Sequence, residues 1–248
     1  MLGSQSALKV CLNPLCLPVS FLPQNVLVTG GAGYIGLHPA FFTSTLIRLT
    51  IAQGSHVIYA LQRTRRYKVI SLDNYHNSQP ASLAKVSQLS KSELPQNPTP
   101  LEIQSTEIDA VYCDLTKPDE IRKVFEKYGR GGIWGVIHIA VCSFIVSWHV
   151  VRFTRVGKAY KAVGESTEIP LTYYQNNVSA TVSLLQTMAE HDCTRIVYSS
   201  SATVYGTPPI IPIPESTRLQ ADSPYGKTKV MAENIIDDLC HGTTQRSK

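Results

Sequence analysis

Short apolar runs recur along the chain, and several close on a glycine or an acidic residue. Val26–Thr29 runs into Gly30, Lys68–Leu72 ends at Asp73, and Ala110–Cys113 ends at Asp114. Gly135–Ala140 and Thr194–Ser200 are two more. Near-continuous runs of this length predict strands buried on both faces of a parallel sheet. Between them the apolar positions take helical spacing. Ile121, Val124 and Phe125 share one face of Lys117–Tyr128, with Pro118 in its first turn. Leu171–Glu190 carries Val178, Leu184, Leu185 and Met188. Strands alternating with helices predict an α/β fold with a doubly wound parallel sheet. Lys91–Leu101 holds Pro95, Pro98 and Pro100 and reads as a surface loop. In Met1–Gln24 the apolar run is broken by Pro14, Pro18 and Pro23. It reads as a loosely attached extension rather than a secretory signal. The expected organisation is an extension over 1–25, a main domain over 26–240 and a frayed polar tail over 241–248.

Composition narrows the function classes. The 248 residues are 43% hydrophobic and 17% charged, which is globular and not disordered. The net charge of +5 is mild. Arg65-Arg66 is typical of the longest basic blocks, so no nucleic-acid partner is expected. No uncharged apolar run reaches the ~18 residues a membrane span needs. The six cysteines show no CxxC pairing. Neither a disulfide scaffold nor a metal site is expected, and a cytoplasmic location fits.

Three signals carry chemistry. After the first strand comes Gly30-Gly31-Ala32-Gly33-Tyr34-Ile35-Gly36, with glycines at a GxxGxxG spacing. Such a turn lets a pyrophosphate approach backbone amides and a helix N-terminus; the alternative is an ordinary glycine-rich turn. Asp73, followed by Asn74, closes the next strand, where a carboxylate accepts from ribose hydroxyls and prefers NAD to NADP. Asp114 ends the third strand, as an adenine-side residue or as a plain cap. Tyr225 and Lys229 are four apart on a helix that opens at Pro224. They share a face, so Lys229 is expected to lower the Tyr225 pKa and favour a phenolate base. The alternative is an exposed helix pair. Ser199-Ser200-Ser201 lies at a strand's C-terminal end, where such sheets bind ligands. Ser201 is placed to share a substrate hydroxyl with Tyr225.

The motifs TGGAGYIG, LDNYHNS, AYKAVGES, YYQNNVSAT, SSSATVYG and SPYGKTK follow one another in this order. The chain resembles the UDP-glucose 4-epimerase family of extended short-chain dehydrogenases/reductases over most of Val26–Leu239. The resemblance implies NAD held by Gly30, Gly33, Tyr34, Ile35, Gly36, Asp73, Asn74, Tyr75, His76, Asn77, Ser78, Asp114, Leu115, Ile139, Ala140, Lys161 and Asn176. It implies Ser201, Tyr225 and Lys229 as the catalytic set, also in contact with the cofactor. The implied reaction interconverts UDP-glucose and UDP-galactose through a 4-keto sugar, with a homodimer as a possible assembly. A related nucleotide-sugar epimerase or dehydratase is the alternative enzyme, and a non-catalytic NAD-binding fragment the alternative outside catalysis.

Two departures interrupt this resemblance. The family pattern continues GYIG with Ser-His, but here Leu37–Gly54 precede Ser55-His56. Gly36 and Asp73 are consequently 37 positions apart, where ~20 are expected. Val141–Lys158 similarly separates the IHIA strand end from AYKAVGES. Each excess is 18 residues. Equal in-frame insertions inside cofactor-contacting motifs read as translated intron sequence, with genuine surface loops as the alternative. The resemblance also implies a further C-terminal third, which supplies most of the sugar-nucleotide pocket. The mature transcript is expected to lack the codons for Leu37–Gly54 and Val141–Lys158. Sequencing cDNA across both junctions checks this; transcripts that retain both stretches would make them loops.

Overall fold

The structure is a computed structural model that describes residues 8–11, 23–33, 53–76, 78–140 and 161–246. Tyr34, Ile35, Gly36, Asn77 and the stretches 37–52 and 141–158 lie outside the described residues.

Six strands among the described residues form one sheet. They are β1 (Leu8–Cys11), β2 (Gln24–Thr29), β3 (Tyr67–Asp73), β4 (Ile108–Tyr112), β5 (Gly135–His138) and β6 (Ile196–Ser199). Their order is β1-β6-β5-β2-β3-β4. β2 through β6 are parallel, and β2 pairs with both β3 and β5. β1 lies antiparallel on β6, with Leu8 opposite Ser199. Part of the segment that reads as a loose extension is thus a sheet strand, and β2 starts two residues before Val26.

The helices connect and cover this sheet: α1 (Gln53–Arg63), α2 (Ala81–Ser92), α3 (Pro100–Ser105), α4 (Pro118–Tyr128), α5 (Lys161–Glu168), α6 (Pro170–Tyr173), α7 (Ala180–Glu190) and α8 (Pro224–Arg246). The Pro-rich loop after α2 ends sooner than its prolines suggest. Pro100 opens α3 behind a capping box, in which the Thr99 hydroxyl accepts from Glu102 N and the Glu102 carboxylate accepts from Thr99 N. The single helix expected over Leu171–Glu190 is three pieces, because a π-helical turn at Tyr174–Ser179 separates α6 from α7. α8 runs to Arg246, into the tail expected to fray. Once nucleated, a helix gains a hydrogen bond for each residue added, so polar residues prolong it at little cost.

Alternation along the strands builds a core on each face. Leu27, Ile70, Leu72, Val136, Ile196 and Tyr198 pack against α4, α7 and α8 through Phe125, Leu184 and Ile236. The opposite faces of β2 and β3, with Val26, Val28 and Val69, meet Ile58 of α1 and Leu83 of α2. Cys113 and Cys193 are buried free thiols, while Cys240 is disulfide-bonded. Motif spacing detects local cysteine pairs and not a bridge that the fold closes.

A buried polar chain crosses the sheet at its C-terminal edge. Thr29 Oγ1 accepts from the backbone N–H groups of Ile139 and Ala140 at 3.2 and 3.1 Å. Its own proton is therefore directed to His138 Nδ1, 2.7 Å away. That leaves the His138 proton on Nε2, facing Thr181 Oγ1 at 3.1 Å. Thr181 in turn donates to the Asn177 carbonyl at 2.5 Å. Each donor finds an acceptor with a neutral imidazole, and burial, aided by the Lys229 charge, lowers the His138 pKa to about 3.

This sets a pH dependence. At pH above ~6.5 neither the folded nor the unfolded chain protonates this histidine. As the pH falls from there towards about 3, only the unfolded chain takes up the proton. His138 should then cost ~1.4 kcal/mol of stability per pH unit. His138→Gln is expected to be less stable at pH 7 but to flatten the stability profile between pH 6 and 4 by roughly that slope. Urea unfolding of both proteins across this range measures it.

Candidate active site

The glycine turn follows directly from β2. Gly30 has φ +70° and donates its N–H to the Leu72 carbonyl of β3 at 2.7 Å. A Cβ on Gly30 would lie 2.9 Å from Ala140 Cα. The left-handed backbone and the close approach of the β5 end both demand glycine. The helix that follows the turn among the described residues is α1, and Gly54 in its first turn is the glycine that packs on it. A Cβ at Gly54 would collide with the Gly30 carbonyl oxygen and come within 3.0 Å of Gly31 Cα. A dinucleotide fold needs such a glycine for close helix–strand packing. Among the described residues Gly54 takes that place, while Gly36 lies outside them. Gly54 was legible only as the partner of Gly36 across the 18-residue excess, since both precede the same expected Ser-His.

Asp73 is brought to the turn by strand pairing, because Leu72 lies opposite Thr29. Its Oδ2 accepts from Ala32 N at 3.0 Å. Its Oδ1 accepts from Tyr75 N at 2.9 Å and Ser78 Oγ at 2.7 Å. A carboxylate offers about four acceptor positions, so one on Oδ2 is left for a ligand hydroxyl beside the glycine turn. Asn74 Oδ1 accepts from His76 N at 3.1 Å, which folds the strand exit back on itself. Tyr75 has a φ of +53°, and burial raises its pKa.

Asp114 follows the next strand over, and its Oδ1 accepts from both Thr116 N and Thr116 Oγ1. That is the local turn of the capping alternative, one strand beyond Asp73, while Leu115 packs on the core. Ile139 and Ala140 leave β5 tied to Thr29, beside the glycine turn. Lys161 begins α5 and Asn176 sits in the π-helical turn. The neighbouring Asn177 is the buried member of that turn, and its Nδ2 donates to Thr228 Oγ1 of α8 at 3.0 Å. Sequence reasoning passed over Asn177, since nothing in the motif distinguishes it from Asn176.

The serine turn and the start of α8 meet at the end of β6. Ser201 caps the 3₁₀ turn Ala202–Tyr205, its hydroxyl accepting from Thr203 N at 3.3 Å and Thr203 Oγ1 at 3.0 Å. Gly226 makes the approach possible, because a Cβ there would sit 2.7 Å from the Thr203 carbonyl oxygen. Burial raises the Tyr225 pKa, and the Ser201 hydroxyl, bonded to the phenol, pulls it back down. Lys229 is 1% exposed. Its Nζ donates to the Ser199 carbonyl at 2.6 Å and lies 4.7 Å from the centre of the Tyr198 ring. Burial lowers its pKa to about 7, opposed by the charge of Glu233. Lys229 reaches to the end of β6, and burial governs Tyr225. Helical spacing gives a common face but not the direction of a long side chain. Among the described residues no cluster of acids, histidines or cysteines could hold a metal, and no helix is long and apolar enough to cross a membrane.

A doubly wound parallel sheet with a glycine turn after its first parallel strand and an acid at the end of the next is the α/β arrangement of dinucleotide-binding proteins. The family model for GDP-mannose 4,6 dehydratase matches residues 158–244. A bifunctional UDP-glucose 4-epimerase and UDP-xylose 4-epimerase of Pisum sativum is 34% identical over 216 residues, 87% of this chain and 47% of the relative. A UDP-glucose 4-epimerase of Drosophila melanogaster is 36% identical over 219 residues, 88% of this chain and 49% of the relative. The crystal structure of UDP-glucose 4-epimerase from Bifidobacterium longum in complex with NAD+ and UDP superposes with a TM-score of 0.62. It is 32% identical, over 87% of this chain and 49% of that one. The chain is similar to UDP-glucose 4-epimerases and spans about half the length of the curated relatives it matches.

Gly54→Ala must push α1 off the glycine turn. It should cost ~1–3 kcal/mol and weaken NAD binding at least tenfold. Denaturant unfolding and calorimetric titration with NAD check the two effects.

Proposed function

We propose that this chain is the NAD-binding part of a UDP-sugar 4-epimerase. The observation that carries the reading is the convergence of the glycine turn, Asp73 and the Ser201–Tyr225–Lys229 set on one edge of the parallel sheet. The residues present fit a dinucleotide. Gly30 and Gly54 let the turn, the β5 end and α1 pack together where any side chain would clash with backbone, and Asp73 keeps an acceptor position next to the turn. Asp73, Ala140 and the N-terminus of α1 would hold the adenosine and pyrophosphate, with Tyr34 and Ile35 of the turn, Asn74 to Ser78 and Asp114 around them. Lys161 and Asn176 would meet the nicotinamide half.

NAD held by these residues would supply reversible hydride-acceptor chemistry at C4 of the sugar. Tyr225 takes the proton from the 4′-hydroxyl in the first step and gives it back in the second. Lys229 as the ammonium favours the phenolate, and Ser201 orients the hydroxyl and the developing carbonyl. UDP-glucose and UDP-galactose are the proposed substrate pair, and a homodimer of the whole protein is the proposed assembly.

The interruptions after Gly36 and Ala140 separate groups that must act on one cofactor, and misplacement by ~1 Å can cost on the order of 10²-fold in rate. The 248-residue chain is expected to show little UDP-galactose/UDP-glucose interconversion. Removing both 18-residue stretches and adding a C-terminal part from a relative should restore it. In that protein Tyr225→Phe should lower kcat by at least 10²-fold with NAD binding nearly unchanged. Near-normal turnover by the 248-residue chain overturns the disruption, and full activity of Tyr225→Phe overturns the mechanism.

A further inference from the structure

Glu233 is a buried acid for which the proposed mechanism has no use. It lies one helical turn beyond Lys229 on α8 and is 5% exposed. Its Oε1 accepts a short hydrogen bond from Ser200 Oγ. Ser200 sits between the two groups that matter most at the end of β6. The carbonyl of Ser199 holds the Lys229 ammonium, and Ser201 caps the turn on which it is presented. We propose that Glu233 is a positioning residue for the Tyr225–Lys229 pair: its carboxylate holds Lys229 in the ammonium form and, through Ser200, fixes the turn that carries Ser201.

The charge around Lys229 supports this role. A lysine buried to this degree tends to lose its proton unless an opposite charge compensates. His138 of β5 is held neutral by the Thr29–Thr181 chain and offers no such charge. Tyr198 of β6 presents a ring face. Tyr225 precedes Lys229 on α8, and Tyr205 lies on the 3₁₀ turn. From α6, Tyr173 packs edge-on against Tyr225, while its hydroxyl donates to Glu165 of α5 at 2.7 Å. The π-helical turn and α7 contribute the uncharged Asn177 and Thr181. Glu233 is the acid whose charge acts on Lys229, opposing the burial that drives its pKa down to about 7. Removing that charge leaves burial unopposed and favours neutral lysine at neutral pH. A neutral lysine cannot stabilise a phenolate at Tyr225.

The proposal rests on the epimerase reading for the roles of Tyr225 and Lys229, so its test is a proton titration that needs neither NAD nor turnover. The 248-residue chain is prepared with 13C-labelled lysine, and the Lys229 Cε resonance is assigned as the one missing in Lys229→Met. Its midpoint is expected near 7. Glu233→Gln keeps an acceptor for Ser200 but removes the charge, and should lower the midpoint by at least about one pH unit, a tenfold loss of proton affinity. Glu233→Asp keeps the charge and should hold the midpoint within about half a unit. An unchanged midpoint in folded Glu233→Gln overturns the proposal, leaving Glu233 as an anchor for Ser200 alone. If Glu233→Gln does not fold, Ser200→Ala decides, because it cuts the tie and spares the carboxylate. A retained midpoint then supports the proposal, and a fall of a full unit overturns it. Failure of the epimerase reading appears separately, as absence of NAD binding by a chain whose Lys229 titrates as expected.

Discussion

The hydrogen-bonded chain from Thr29 through His138 and Thr181 to Asn177 and Thr228 is the constraint on which the site depends. It joins the end of β2, where the glycine turn begins, to β5, to the π-helical turn and finally to α8, where Thr228 Oγ1 donates to the Tyr225 carbonyl at 2.7 Å. The links from Thr29 to Thr228 are buried and satisfied without a charge. Losing one link would leave its neighbour unpaired in a low-dielectric interior, which costs ~1–3 kcal/mol. Cofactor turn and catalytic helix are therefore held in one frame although almost two hundred residues separate them in sequence.

Close backbone approach is the second constraint. At Gly30 the β5 end lies against the turn, at Gly54 the first helix lies against it, and at Gly226 the catalytic helix lies against the serine turn. Each contact is made where strand ends and helix starts converge, the edge at which open α/β sheets bind ligands. Among the described residues the first helix begins at Gln53, and it packs on the glycine turn as closely as a dinucleotide fold requires.

Electrostatics in the site follow from burial. Tyr225 is pushed up and Lys229 down, each towards the form that carries no charge. The mechanism needs the opposite charge state of both. The Ser201 hydroxyl at Tyr225 and the Glu233 carboxylate near Lys229 counter that tendency, so these neighbours set the working protonation of the pair as much as its spacing does.

The linear sequence was enough for the parallel strands and the order of strand and helix, and it singled out the glycine turn, Asp73, Ser201, Tyr225 and Lys229 as candidates. Apolar periodicity and short motifs are local properties, and those elements are local. It was also enough to locate two 18-residue departures, because the spacing between motifs is a property of the chain alone. Tertiary structure decided what depends on which groups meet. Leu8–Cys11 became an edge strand because β6 offered an unpaired edge. The glycine that supports the first helix is Gly54, a choice that only packing against Gly30 and Gly31 could make. The Lys229 ammonium turned to the Ser199 carbonyl, which no i,i+4 rule specifies. His138, Asn177 and Glu233 carry no motif that marks them, and they matter because folding buried them against partners distant in sequence, where an unpaired polar group is costly.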